Sequence, residues 1–140
     1  MSVVWEDDGY CIACGKNNPV GLKVDFELKG KKLFTKCVFP KMYQGYKDVV
    51  HGGMVGLMLD EVLVNLPLRL YGIPYVSAEL TVRLKLPVMV GEEIEFSAEI
   101  EKEAKGIVFV RGEAKVKNGS VAALATAKCL PVDGSTKKQN

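Results

Sequence analysis

The chain has 140 residues, 48% hydrophobic and 26% charged, with a formal net charge of +2 at pH 7. That length supports one domain around one core. So small a charge gives no electrostatic reason to expect nucleic acid or a membrane surface as partner. The first residues, including Trp5, Glu6, Asp7 and Asp8, lack the basic-then-apolar order of a secretory leader. No apolar run approaches the length of a membrane span, so the expectation is a cytoplasmic protein.

Residues 1–21 read as a leader loop, with Cys11 and Cys14 in a C-x-x-C followed by Gly15, Lys16, Asn17, Asn18 and Pro19. A structural zinc site usually takes four ligands as two close pairs, and only one pair is present. The turn residues after Cys14 also differ from a redox motif opening a helix. The four cysteines therefore read as reduced, mostly packed residues, with no metal site.

Residues 22–28 alternate apolar and polar, as a half-buried strand does, and Gly30 turns the chain into a second strand ending at Pro40. Residues 41–50 read as a loop containing Gln44 and Gly45. From Gly52 or Gly53 to about Leu66 comes a helix, closed near Pro67 or Gly72. Its apolar residues cover nearly every side, leaving Asp60, Glu61 and Asn65 polar, so it must be surrounded.

Four more strands follow. In the first, Val76, Ala78, Leu80, Val82, Leu84 and Leu86 form one face, and Ser77, Glu79, Thr81, Arg83 and Lys85 the other. In the next, Ile94, Phe96, Ala98 and Ile100 alternate with glutamates. Val108, Val110, Gly112, Ala114 and Val116 form the inward set of the third, and Asn118-Gly119 gives a hairpin signal. The last strand, 121–130, is rich in alanine. Residues 133–140 read as a disordered polar tail, leaving a single domain over 1–132. One enclosed helix among about six alternating strands predicts an α+β architecture, an antiparallel sheet wrapped around one central helix: the hotdog fold.

The segment His51-Gly52-Gly53 holds the only histidine and opens that helix, with Asp60 two turns in. Backbone N–H groups at a helix start are free for an incoming oxygen, and the helix dipole favours negative charge there. A carboxylate among apolar neighbours is costly unless paired or used. Each residue also has a plain structural alternative. His51 can cap a loop, Asp60 can pair with Asn65, Glu61 can be a surface residue, and Gly52 and Gly53 can serve packing alone.

His51-Gly52-Gly53 with Asp60 nine positions after the histidine resembles the helix-start motif of hotdog-fold acyl-CoA thioesterases, especially the phenylacetate-degradation type. The leader, Cys11-x-x-Cys14-Gly15-x-x-Asn18-Pro19-x-Gly21-Leu22, and the segment from Ala78 to Gly91 are also similar to that superfamily. The resemblance implies hydrolysis of an acyl-CoA to free acid and CoA, with CoA as part of the substrate and no separate cofactor. It implies Asp60 as nucleophile or general base, Gly53 N–H as holder of the carbonyl oxygen, and His51 as orienter of the loop or substrate contact. Gln44 and Ser77 are the nearest matches to further substrate-binding positions, joined by Gly52. Arg83 would suit the CoA nucleotide.

Gly53 and Asp60 are seven residues apart, so on one helix they are separated by ~10 Å along the axis. Both must approach one carbonyl to within about 3 Å. If both act, they come from different subunits across a two-fold axis, which requires at least a dimer; a tetramer is expected by resemblance. Two other readings of the same fold are a non-catalytic acyl-CoA-binding module and an enoyl-CoA hydratase or dehydratase.

Overall fold

The computed structural model describes residues 3–132; the polar tail expected at 133–140 lies outside them. The elements are β1 (Phe26–Lys29), β2 (Lys32–Val38), a single 3-10 turn at Lys41–Tyr43, α1 (Gly52–Tyr71), β3 (Tyr75–Leu84), β4 (Glu93–Ala104), β5 (Ile107–Lys115) and β6 (Val121–Pro131). The strands form one sheet in the order β1-β2-β4-β5-β6-β3, every neighbouring pair antiparallel. The α+β hotdog architecture is therefore the observed one.

The sheet curls around α1 because its inner floor is small. Ala98, Ala114, Ala122, Ala123, Ala125 and Ala127 are all buried there, under Met58, Leu59, Val62, Leu63 and Leu66 of the helix. At Gly112 the approach is closest: an added Cβ would meet Ser97 O at 2.6 Å and Leu63 Cδ2 at 3.1 Å. Large side chains on the helix thus fill the space that small ones on the strands leave open, at the density of a packed core.

Several boundaries differ from the sequence expectation. Residues 22–25 are not strand: Lys23 takes φ 54°, and Leu22 N–H and Val24 N–H donate to Ile12 O and Ala13 O of the leader. Of the two closings expected for the helix, Pro67 and Gly72, the later is observed: the helix carries the buried Pro67 ring and runs on to Tyr71, where Gly72 at φ 75° ends it by donating its N–H to Leu68 O. The charged residues of β4 and β5 pair both across and along the strands. Glu99 binds Arg111 at 2.9 Å, whereas Lys115 reaches Glu113 on its own strand.

The largest departure is in β3. A register shift between Ser77 and Glu79 interrupts its ladder with β6. Beyond the bulge Leu80, Val82 and Leu84 stand opposite buried Ala127, Ala125 and Ala123, as alternation predicts. Before it, Ser77 stands opposite buried Cys129 and Val76 opposite the exposed Leu130. One extra residue reverses the phase. Ser77, expected on the outer face, shares the inner face with the helix, and Val76 is turned outward.

Burial pushes the Cys37 thiol from its ordinary 9.0 up to about 12. Burial, with the charge of Asp60 adding to it, pushes Cys129 up to about 11. Unfolded thiols lose their protons first, so the stability favoured by the neutral buried thiols is intact below about 9 and falls as pH rises through the folded values. The urea midpoint should drop between about pH 8 and pH 10.5. Replacing Cys37 and Cys129 by alanine should shrink that drop; an equal drop in the variant would assign it to other groups.

Candidate active site

His51 is the N-cap of α1, and its Nδ1 accepts a hydrogen bond from Gly53 N at 2.9 Å. A ring that accepts at Nδ1 keeps its hydrogen, when neutral, on Nε2. Met54 N–H and Val55 N–H both donate to His51 O. Among the described residues Gly52 N–H finds no acceptor. The free donor of the first turn is thus Gly52 N–H, while Gly53 N–H, the donor expected from the sequence, is engaged by the imidazole.

An open groove of about 630 Å³ lies beside this turn, lined by Tyr46, His51, Gly52, Leu84, Lys85 and Leu86 among others. Its floor depends on glycine. A Cβ on Gly45 would touch His51 Cα at 3.5 Å, and one on Gly52 would stand 2.7 Å from Leu84 Cδ1.

Gln44 does not point freely into this space. Its Oε1 accepts from Asp48 N at 3.1 Å and from Lys41 Nζ at 3.3 Å, and its backbone bridges to Val50. It shapes the loop that holds His51. Arg83 lies elsewhere, on the outer face of the sheet, where with Thr81, Arg111 and Leu124 it lines a hollow of about 420 Å³. Lys85, not Arg83, is the cation of the His51 groove.

The helix runs antiparallel along β3, with Gly52 against Leu84 and Gly56 against Val82. Asp60 continues that i, i+4 stripe. It reaches the region where its charge is felt by Cys129, the ladder partner of Ser77. Asp60 Oδ1 is sealed from solvent and, among the described residues, has no hydrogen-bond partner. Asn65, the sequence-level alternative partner, instead donates to the backbone oxygen of Glu61 at 2.8 Å. The structure therefore gathers Asp60 and the Ser77 segment at one end of the stripe, and His51 and Gly52 at the other.

Two contacts were not foreseen from the sequence. Cys11 Sγ lies 3.6 Å from Glu61 Oε2, bringing the leader against the helix. Tyr43, on the loop before His51, donates its hydroxyl to Val20 O. Only the pairing of a C-x-x-C with an acid on a mostly apolar helix hinted at the first. Met58 of α1 is fully buried in the core.

Comparison with known proteins gives this geometry its class. The model of the thioesterase superfamily matches residues 47–123, more than half of the chain and all of the His51 to Asp60 segment. The chain belongs to that superfamily, and its chemistry is thioester hydrolysis. Among solved structures it is similar to a putative thioesterase from Ralstonia eutropha JMP134, described as a phenylacetic acid degradation-related protein. That match has 25% identity and a TM-score of 0.70, and covers 79% of this chain and 86% of the other. The Escherichia coli PaaI protein of the phenylacetic acid degradation operon shares the fold at 16% identity and a TM-score of 0.73, covering 81% and 82%. A Streptococcus pneumoniae hypothetical thioesterase, solved with coenzyme A, shares it at 12% identity and a TM-score of 0.70, covering 78% and 85%. No curated protein matches the sequence.

The His51 cap makes a specific variant informative. A Cβ at Gly53 would lie 3.1 Å from His51 Nδ1 and 3.3 Å from Cε1, so Gly53→Ala must displace the ring by a few tenths of an ångström. Alanine gains up to ~1 kcal/mol of helix propensity, and a disturbed cap costs ~1 kcal/mol. Thermal stability should therefore change little, while thioester turnover falls about tenfold from misplacement at the reacting end. A loss of stability with full activity would make the cap structural only.

Proposed function

We propose that the protein hydrolyses acyl-CoA thioesters to free acid and CoA, at a site shared by two copies of the chain. Asp60 comes from one copy and the start of α1 from the other. The observation that carries this reading is Asp60 Oδ1, sealed and unpartnered on the central helix of a thioesterase-superfamily chain. An idle carboxylate oxygen in that position is costly; a reacting one has a use.

Sharing follows from lengths. Gly53 and Asp60 lie on the uninterrupted helix Gly52–Tyr71, ~10 Å apart along its axis, and each must come within about 3 Å of one carbonyl group. The outer edge of β3 has no strand beside it among the described residues, and Leu80, Leu84 and Leu86 are exposed along it and just past its end. A second β3 pairing there about a two-fold axis satisfies the open backbone groups. Because α1 runs antiparallel along β3, the same axis turns the partner's helix start toward Asp60. A dimer is the minimum, and the outer-face hollow around Arg83 offers a surface on which dimers would join into a tetramer.

In the reaction, the carbonyl oxygen sits at the start of α1, where Gly52 N–H is open and Gly53 N–H is shared with His51. Developing negative charge is stabilised there by these donors and by the helix dipole. Asp60 attacks the carbonyl carbon to give a mixed anhydride that water then hydrolyses to the free acid, or it takes a proton from the water that attacks directly. The carbon–sulfur bond breaks, and CoA leaves as the thiolate. The substrate class is supported by fold neighbours solved with coenzyme A and with acetyl CoA, from Streptococcus pneumoniae and Streptococcus mutans. Lys85 in the groove offers a charge partner for a CoA phosphate.

Asp60→Asn keeps the shape and removes the charge, so thiol release from an acyl-CoA panel should fall about 10²–10⁴-fold with the fold retained. CoA-dependent thermal stabilisation without any thiol release by the parent protein would instead indicate a binding module. For the shared site, Asp60→Asn chains are mixed with chains carrying leucine at Gly53. After subunit exchange, half of the dimers are mixed and each has one complete site, so activity should return to about a quarter of the parent's. No recovery after demonstrated exchange would place the whole site within one chain.

A further inference from the structure

The contact between the leader and α1 has no part in thioester hydrolysis, yet it is tightly built. Gly15 N–H donates to Cys11 O at 2.9 Å, Asn17 N–H to Gly9 O at 2.9 Å, and Leu22 N–H to Ile12 O at 2.9 Å. Gly15 tolerates no side chain: a Cβ would lie 2.4 Å from Cys11 N and 2.5 Å from Gly9 O. Within this turn Cys11 Sγ receives two backbone N–H groups, from Ala13 at 3.4 Å and Cys14 at 3.5 Å. The turn thereby fixes the position of this sulfur against the helix.

Facing this turn is Glu61. Its Oε2 and Oε1 lie 3.6 and 3.8 Å from Cys11 Sγ. The ligand atoms of Cys11, Cys14 and Glu61 all lie within 4.8 Å of one another. Tetrahedral coordination with bonds of ~2.3 Å to sulfur and ~2.0–2.2 Å to oxygen requires sulfur–oxygen edges of roughly 3.5 Å, close to the observed spacing. Burial, followed by the neighbouring Glu61, pushes the Cys14 thiol up.

We propose that Cys11, Cys14 and Glu61 bind a borderline-soft divalent cation of the zinc class, with water in the fourth position, clamping the leader to α1 beside Asp60. Thiolate ligands select zinc over magnesium or calcium. Each thiol that becomes a ligand gives its proton to the buffer. A disulfide between Cys11 and Cys14 is the competing use of the pair, and it would leave Glu61 without a role. The site stands apart from the thioester reading, and its test does not use turnover.

The reduced, metal-free full chain is titrated with Co²⁺ and followed by absorption. The expected result is a near-ultraviolet thiolate-to-cobalt band that saturates at about one equivalent per chain, with the visible intensity of tetrahedral coordination. Zn²⁺ should bleach the band and protect Cys11 and Cys14 from a thiol reagent, Cys37 and Cys129 being buried already. Cys11→Ser or Cys14→Ser should abolish the band. Glu61→Gln should weaken binding by at least the ~10-fold that loss of an outer-sphere partner costs. Absence of the band in the reduced parent protein overturns the proposal, as does a band that persists in the double serine variant. Leader thiols that stay fully reactive in saturating Zn²⁺ overturn it as well.

Discussion

The seating of α1 on a floor of alanine and glycine is the constraint on which the rest of the structure depends. Ala123, Ala125 and Ala127 of β6, with Gly112 and Ala114 of β5, let Leu59, Leu63 and Leu66 sink to the sheet. A larger residue at any of these positions would lift the helix. Gly52 and Gly56 do the same work on the β3 side, where their bare backbone faces Leu84 and Val82. A helix held this low keeps Asp60 half-buried, with its Oδ1 sealed, while its first turn still reaches a groove open to solvent. The two ends of the proposed site are set by one packing relationship.

That relationship also explains the division of labour in the first turn. His51 caps the helix by taking Gly53 N–H, so one strong donor is satisfied by the protein itself and its neighbour Gly52 N–H is left open. The capping histidine fixes the direction of the imidazole at the same time. A residue that stabilises the helix end thereby orients a polar group in the groove, and a single hydrogen bond serves both purposes.

Most of the architecture was legible in the sequence, because binary pattern follows local geometry. The alternation of β4, β5 and β6, the alanine-rich last strand and the apolar helix from Gly52 specify a sheet around a helix without knowledge of any long-range contact. What was not legible depends on register or on distance. The bulge before Glu79 is fixed by pairing with β6, so the inward turn of Ser77 could not be read from β3 alone. Lys23 breaks an alternating pattern through a positive φ that its residue type does not announce. Of the two helix ends the sequence offered, Pro67 and Gly72, packing selects Gly72, one turn beyond the proline. The candidate site stood out as a motif, but the allocation of its N–H groups and the separation of Arg83 from His51 did not. The meeting of Cys11 with Glu61 joins residues 50 positions apart, beyond any local pattern.

The strand order carries a consequence for how the molecule comes into being. β3 follows the helix in the chain, yet among the described residues its only ladder partner is β6, with Tyr75 opposite Pro131. During synthesis the leader, α1 and β1, β2, β4 and β5 can all emerge before β3 has anything to pair with. Closure of so long a loop is entropically slow and comes late in folding. The strand that flanks Asp60 therefore docks only once the ribosome has released the last residues of the domain. A chain interrupted before Val121 would keep much of its sheet while presenting β3 as an unpaired, partly apolar ribbon, the kind of surface that chaperones exist to shield.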